Sequence, residues 1–134
     1  MRTESRWNCL IALLALIGAV SLAADAGAGA AVDISSQEAL ALQKSGEGLL
    51  FVDVRTPEEY ASGHVPGAVN IPKDQLPSRL SELESARDRV VVYCERGPRA
   101  QAAAATLTQA GFTGVRHLTG DMAGWRAAGL PIEK

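Results

Sequence analysis

Val90-Val91-Val92-Tyr93 runs straight into Cys94-Glu95-Arg96-Gly97-Pro98-Arg99, and that stretch into Ala100-Gln101-Ala102-Ala103-Ala104-Ala105-Thr106-Leu107. The first run is apolar and β-branched, the composition of a buried strand. The last is alanine-rich, the composition of a helix. Between them the sequence predicts a tight loop that enters a helix N-terminus, with a cysteine where the strand ends. The first turn of a helix carries unpaired N–H groups and partial positive charge. A loop there can aim several amides at one anion. A cysteine at that point is expected to be biased toward thiolate. Arg96 and Arg99 add charge that favours the thiolate and an anionic substrate. Gly97 supplies freedom for the turn. Pro98 suits the first helical position, although it removes one donor. Glu95 works against the arginines unless it turns to solvent. Taken singly, a cysteine is a small core residue and Gly-Pro a turn; the combination at this spacing is what marks the stretch.

Working outward, Val32 to Ile34 reads as a first strand. Ser35 or Ser36 is expected to cap a helix through about Lys44, ended by Gly46 and Gly48, and Ser35 followed by Glu38 fits a capping box. Leu49-Leu50-Phe51-Val52 is a continuous apolar run, expected as a central buried strand. Asp53 and Arg55 stand at its C-terminal end, the rim where parallel α/β sheets bind ligands. Thr56-Pro57-Glu58-Glu59 starts a short helix that stops by Gly63. Ala68 to Asn70 reads as an edge strand ended by Pro72. Leu76, Leu80 and Leu83 fall at i, i+4 and i+7 and predict one apolar helix face. The alanine-rich helix runs to Ala110, capped by Gly111. Val115 to Leu118 is a further strand, and Met122 to Ala128 a last helix with Trp125 in the core. Strand–helix alternation argues an α/β sheet with helices on both faces.

The 134 residues suit one domain plus a short extension, and the net charge of −2 with no basic run argues against nucleic acid as a partner. Arg2 and Arg6 precede an apolar run from Cys9 to Leu22, closed by Ser21-Leu22-Ala23. These are the parts of a secretory signal peptide, expected over residues 1–23. The run is short for a spanning helix; an uncleaved anchor is the alternative, and would be the protein's membrane contact. Residues 24–31 read as a flexible leader and 32–134 as the domain. Cleavage would leave eleven basic and fourteen acidic residues, in a protein expected in a bacterial periplasm. Cys94 would then be the only cysteine, without a disulfide partner in an oxidising compartment and open to oxidation. Two histidines and one cysteine show no metal-ligand spacing, so neither zinc nor another cofactor is expected.

Cys-x-x-Gly-x-Arg between a strand and a helix resembles the active-site loop of rhodanese-like sulfurtransferases. Asp53-Val54-Arg55-Thr56-Pro57-Glu58-Glu59-Tyr60, with Gly63-His64-Val65-Pro66-Gly67-Ala68-Val69-Asn70-Ile71-Pro72, resembles the family's N-terminal signature. Leu118-Thr119-Gly120-Asp121-Met122-Ala123-Gly124-Trp125 resembles its C-terminal one. Many members have a second glycine where this chain has Asp121; the departure is expected to alter a turn and not the chemistry. The resemblance runs from about Val32 to the C-terminus. It implies a three-layer fold with a five-stranded, mostly parallel sheet in the order 1-5-4-2-3 and the active loop after the fourth strand.

The resemblance also implies roles. Cys94 is the catalytic nucleophile. Glu95, Arg96, Gly97, Pro98 and Arg99 form the substrate-binding loop. Asp53 and Arg55 support it, Asp53 by pairing with Arg99. His64 and His117 are read as structural, and Glu58 and Glu59 as first-turn acids. The implied reaction moves sulfane sulfur from thiosulfate, or a similar small anionic donor, to cyanide or a thiol, a protein thiol included, through a Cys94 persulfide. Two alternatives stand beside it. One is a persulfide carrier or binding module for a protein partner. The other is a phosphatase or arsenate reductase, whose related loop is one residue longer.

Overall fold

A computed structural model describes residues 30–134. The expected signal segment, Cys9 and most of the leader lie outside them. Five strands form one sheet: β1 (Val32–Ile34), β2 (Leu50–Asp53), β3 (Val69–Asn70), β4 (Val90–Tyr93) and β5 (Arg116–Leu118). Their order is β1-β5-β4-β2-β3 and every neighbouring pair is parallel. The order and the parallel sense are those expected from the resemblance. Four α-helices accompany the strands: α1 (Ser36–Lys44), α2 (Pro57–Ala61), α3 (Pro98–Gln109) and α4 (Asp121–Ala127).

The continuous apolar runs of β2 and β4 are explained by burial on both faces of the sheet. Side chains alternate along a strand. Val52, Val90 and Val92 therefore join a core with Leu76, Leu83, Ala103, Leu107 and Phe112, beneath α3. Phe51, Val91 and Tyr93 point the other way, to Ala39, Leu118, Met122 and Trp125, beneath α1 and α4. Trp125 is fully buried, meets Phe51 edge-on at 6.2 Å between ring centroids, and donates its indole N–H to Pro131 O at 2.7 Å.

One expected helix takes a different form. The stretch carrying Leu76, Leu80 and Leu83 is two 3₁₀ segments, Lys73–Ser78 and Leu80–Ala86. Pro77 lies inside the first. It has no N–H to donate and obstructs an α-ladder, so the chain winds in short 3₁₀ turns instead. Leu76 and Leu83 are still buried, which is what their spacing signalled. The caps differ as well. Ser35 Oγ accepts the Glu38 N–H at 3.1 Å, but the reciprocal capping box forms at Thr56 and Glu59.

Gly114 packs against the main chain of Asp88, and a Cβ on it would collide with the Asp88 carbonyl. Backbone cannot rotate away as a side chain can. Gly114→Ala is therefore expected to cost at least about 1–3 kcal/mol, read as a fall in the urea midpoint. An unchanged midpoint would mean that the turn gives way freely.

Candidate active site

β4 ends at Tyr93 and α3 begins at Pro98, so Cys94 to Gly97 span the gap between a central strand and a helix start. Gly97 makes the turn with φ of +128°, a conformation that side-chain-bearing residues rarely adopt. Its N–H meets Cys94 Sγ at 3.0 Å. Among the described residues, the N–H groups of Glu95, Arg96 and Arg99 donate to no protein acceptor. Cys94 itself is 1% exposed. Cys94 is thus recessed in a loop with amides to offer.

α4 braces this loop from beneath. Met122 donates its N–H to Cys94 O at 2.9 Å and Ala123 to Glu95 O at 3.1 Å. Asp121 Oδ1 accepts the Cys94 N–H at 3.0 Å and lies 3.0 Å from His117 Nε2. Asp121 is buried and holds φ of +55°. That backbone costs a non-glycine residue about 1 kcal/mol. Asp121 does more than the expected alteration of a turn: its side chain reaches the main chain of the cysteine. The resemblance compared backbone roles at that position, and a glycine has no side chain to compare. His117, read as structural, is the second partner of that carboxylate.

Asp53 and Arg55 are brought together, and not in the way expected. Asp53 does not pair with Arg99. Arg55 Nε lies 3.0 Å from Asp53 Oδ1 and Nη2 lies 2.7 Å from Oδ2. Both residues are almost fully buried. Arg55 also donates to Gly63 O at 2.8 Å and to Glu95 Oε1 at 3.2 Å, and its backbone N–H reaches Asp53 Oδ1 at 2.9 Å. The i to i+2 spacing explains the choice: the two side chains are already neighbours. Burial alone would lower the Arg55 guanidinium; the hydrogen bonds and charge of Asp53, aided by Tyr93 and Glu95, hold it above its ordinary value.

Glu95 does not oppose the loop charge. Arg126 of α4 clamps it at 2.7 and 3.0 Å, and Arg55 takes it from the other side. The Arg126 hydrogen bonds first, then the charges of Arg126 and Arg55, keep its carboxyl below the usual range. Arg126 left no signal in the sequence, because its partner is 31 positions away. Arg96 is exposed and makes no ion pair among the described residues. Pro98 is exposed at the first turn of α3. His64 stacks on Tyr60 with ring centroids 3.7 Å apart, and its Nδ1 lies 2.9 Å from Tyr60 O.

Arg99 turns to Glu59 of α2, with Nη1 to Oε1 at 2.7 Å and Nη2 to Oε2 at 3.0 Å. Glu59 is more than a first-turn acid: the Arg99 hydrogen bond, with the Thr56 cap, pushes its carboxyl down to about 2. A carboxyl depressed by folding adds stability above its ordinary value and loses it as pH falls. The Glu59 contribution is therefore present above about 4.5 and lost on the way to about 2. Both side chains are about one-third exposed, at 33% and 36%, so the effect is small. The expected result is a small melting-temperature gap between wild type and Glu59→Gln at neutral pH that closes by about pH 2. A gap independent of pH would overturn the pairing.

A rhodanese-like domain family model matches residues 35–128. The chain is 44% identical over 86 residues to a protein of Allochromatium vinosum named sulfurtransferase, covering 64% of this chain and 79% of that one. It is 37% identical over 94 residues to thiosulfate sulfurtransferase 16, chloroplastic, of Arabidopsis thaliana, covering 62% and 78%. Against several longer relatives it spans less than half their length. The solution structure of a rhodanese-like domain from Anabaena is similar with a TM-score of 0.68 and 33% identity, over 75% of this chain and 77% of that one.

Proposed function

The chain belongs to the rhodanese-like domain family, and on that premise we propose that it is a sulfurtransferase that carries sulfane sulfur on Cys94 and takes it from thiosulfate or a similar small anion. The observation that carries this reading is the Gly97 N–H aimed at Cys94 Sγ inside a loop whose Glu95, Arg96 and Arg99 amides are uncommitted among the described residues. Such donors stabilise negative charge on a sulfur and on an outer sulfur attached to it. The recessed cysteine favours a donor of few atoms.

In the first half-reaction the Cys94 thiolate attacks the outer sulfur of thiosulfate. The new bond joins Sγ to that sulfur, the old S–S bond breaks, and sulfite leaves with its electron pair. In the second, cyanide or a thiolate attacks the outer sulfur of the persulfide, and Cys94 returns as thiolate with the electrons of the broken bond. No external oxidant or reductant is needed, and ping-pong kinetics are expected. Arg96, exposed beside the loop, supplies positive charge to an approaching anion. Arg99 is committed to Glu59 through both terminal nitrogens, which argues against a phosphatase reading in which that arginine clamps the oxyanion.

Intact mass tests the cycle. Thiosulfate should add one sulfur, about 32 Da, and cyanide should remove it. No gain on a free, reduced thiol would mean that thiosulfate is not the donor.

A further inference from the structure

Asp121 takes part in none of the steps above, yet three observations single it out. Apart from glycines, it is the one described residue with positive φ, at +55°. It is 2% exposed. Its carboxylate is fully engaged: Oδ1 accepts the Cys94 N–H, and Oδ1 and Oδ2 lie 3.0 and 3.2 Å from His117 Nε2. A carboxylate only accepts, so His117 presents an N–H at Nε2; its Nδ1 faces Asp33 Oδ1 at 3.6 Å. The loop rests directly on this pair. A Cβ on Gly97 would come within 3.4 Å of Asp121 Oδ2 and 3.9 Å of His117 Cε1. Glycine would satisfy the backbone at 121 with less strain, so the advantage of aspartate has to lie in its side chain.

We propose that Asp121, held in place by His117, is a positioning residue for sulfur transfer: it fixes the main chain at Cys94 so that the Gly97 N–H meets the sulfur. The proposal rests on the sulfurtransferase reading and deepens it. Met122 and Ala123 hold the carbonyls of Cys94 and Glu95. Asp121 holds the one remaining backbone group of Cys94, its N–H. With both ends of the residue pinned, Sγ has a fixed origin and the turn at Gly97 closes onto it.

The test compares Asp121→Gly with Asp121→Asn. Glycine removes the acceptor and relieves the backbone; asparagine keeps an acceptor oxygen for the Cys94 N–H. Three quantities are read: the rate of sulfur uptake by quenched intact mass, hydrogen exchange at the Cys94 amide, and the melting temperature. For Asp121→Gly the expected result is uptake slowed by about tenfold or more, faster exchange at Cys94, and a melting temperature within a few degrees of wild type. Asp121→Asn should keep uptake within about threefold. Wild-type uptake in Asp121→Gly would overturn the proposal. So would a slowed uptake accompanied by a collapsed melting temperature and faster exchange throughout the sheet, which is the behaviour of a merely structural residue. If the wild-type protein accepts no sulfur from any donor, the sulfurtransferase reading fails. The exchange contrast at Cys94 still decides whether Asp121 holds the loop.

Discussion

Cys94→Ser is expected to abolish sulfur transfer while leaving the protein folded. Sγ accepts a hydrogen bond from the Gly97 N–H at 3.0 Å, and a serine oxygen can accept the same bond. Serine and cysteine differ by one atom, so the buried site is neither emptied nor overfilled. Stability should stay within about 1 kcal/mol of wild type. The chemistry does not survive. A serine hydroxyl at neutral pH is a poor nucleophile, and among the described residues no basic side chain hydrogen-bonds this position. Removing the attacking atom of a covalent mechanism costs on the order of 10⁴-fold or more. Turnover of thiosulfate with cyanide, measured with purified wild type and variant, checks this directly. Appreciable turnover by Cys94→Ser would place the reaction elsewhere and remove the basis of the proposed function.

The second large effect belongs to stability. Arg55→Met is expected to cost about 3–5 kcal/mol, the range for breaking a buried ion pair by removing one partner. Asp53 would be left as an uncompensated carboxylate in a site with no exposure, and Gly63 O and Glu95 would each lose a donor. Methionine replaces much of the volume and none of the charge. The double variant Asp53→Asn/Arg55→Met discriminates between lost charge and lost packing. Asparagine retains an acceptor for the main-chain N–H of residue 55, which Asp53 Oδ1 accepts at 2.9 Å in the wild type, and it leaves no buried charge. The double variant should therefore be more stable than Arg55→Met alone. Urea unfolding with an unchanged m-value measures both. A loss below about 1 kcal/mol in the single variant would mean that the pair is replaceable by packing alone.

The consequence for function follows from the same contacts. Arg55 links the end of β2 to Glu95 in the cysteine loop, and Arg126 grips Glu95 from α4. Three elements far apart in sequence are joined at one acidic residue. The loop is held at Cys94 and Glu95 from below and at Glu95 from the side, while Arg96 is exposed.

The elements differ in how legible they were. β2 and β4 announced themselves because burial on both faces demands unbroken apolar runs, a local property of composition. The strand–loop–helix around Cys94 was legible for a similar reason: Gly97 and Pro98 each solve a local backbone problem. The 3₁₀ form of the Lys73–Ala86 stretch was hidden by its spacing, since leucines at i, i+4 and i+7 describe an α-helical face, and Pro77, which obstructs the α-ladder, decided against it. The partners of Asp53, Arg99 and Glu95 were not legible. A charged side chain has several candidates of opposite sign, and proximity selects among them: Asp53 took the arginine two residues away, which left Arg99 for Glu59.

From the residues alone came the alternation of strands and helices and the placement of one cysteine at a strand end beside a helix start. Those follow from backbone propensity and from the period of burial, which any short window of sequence displays. The parallel order of the strands came with the resemblance, which carries topology that no window contains. Only the tertiary structure decided which charges meet and what Asp121 does. Side chains separated by tens of residues find each other when the sheet and its covering helices pack, and the Cys94 N–H meets the Asp121 carboxylate only where α4 folds back beneath the loop.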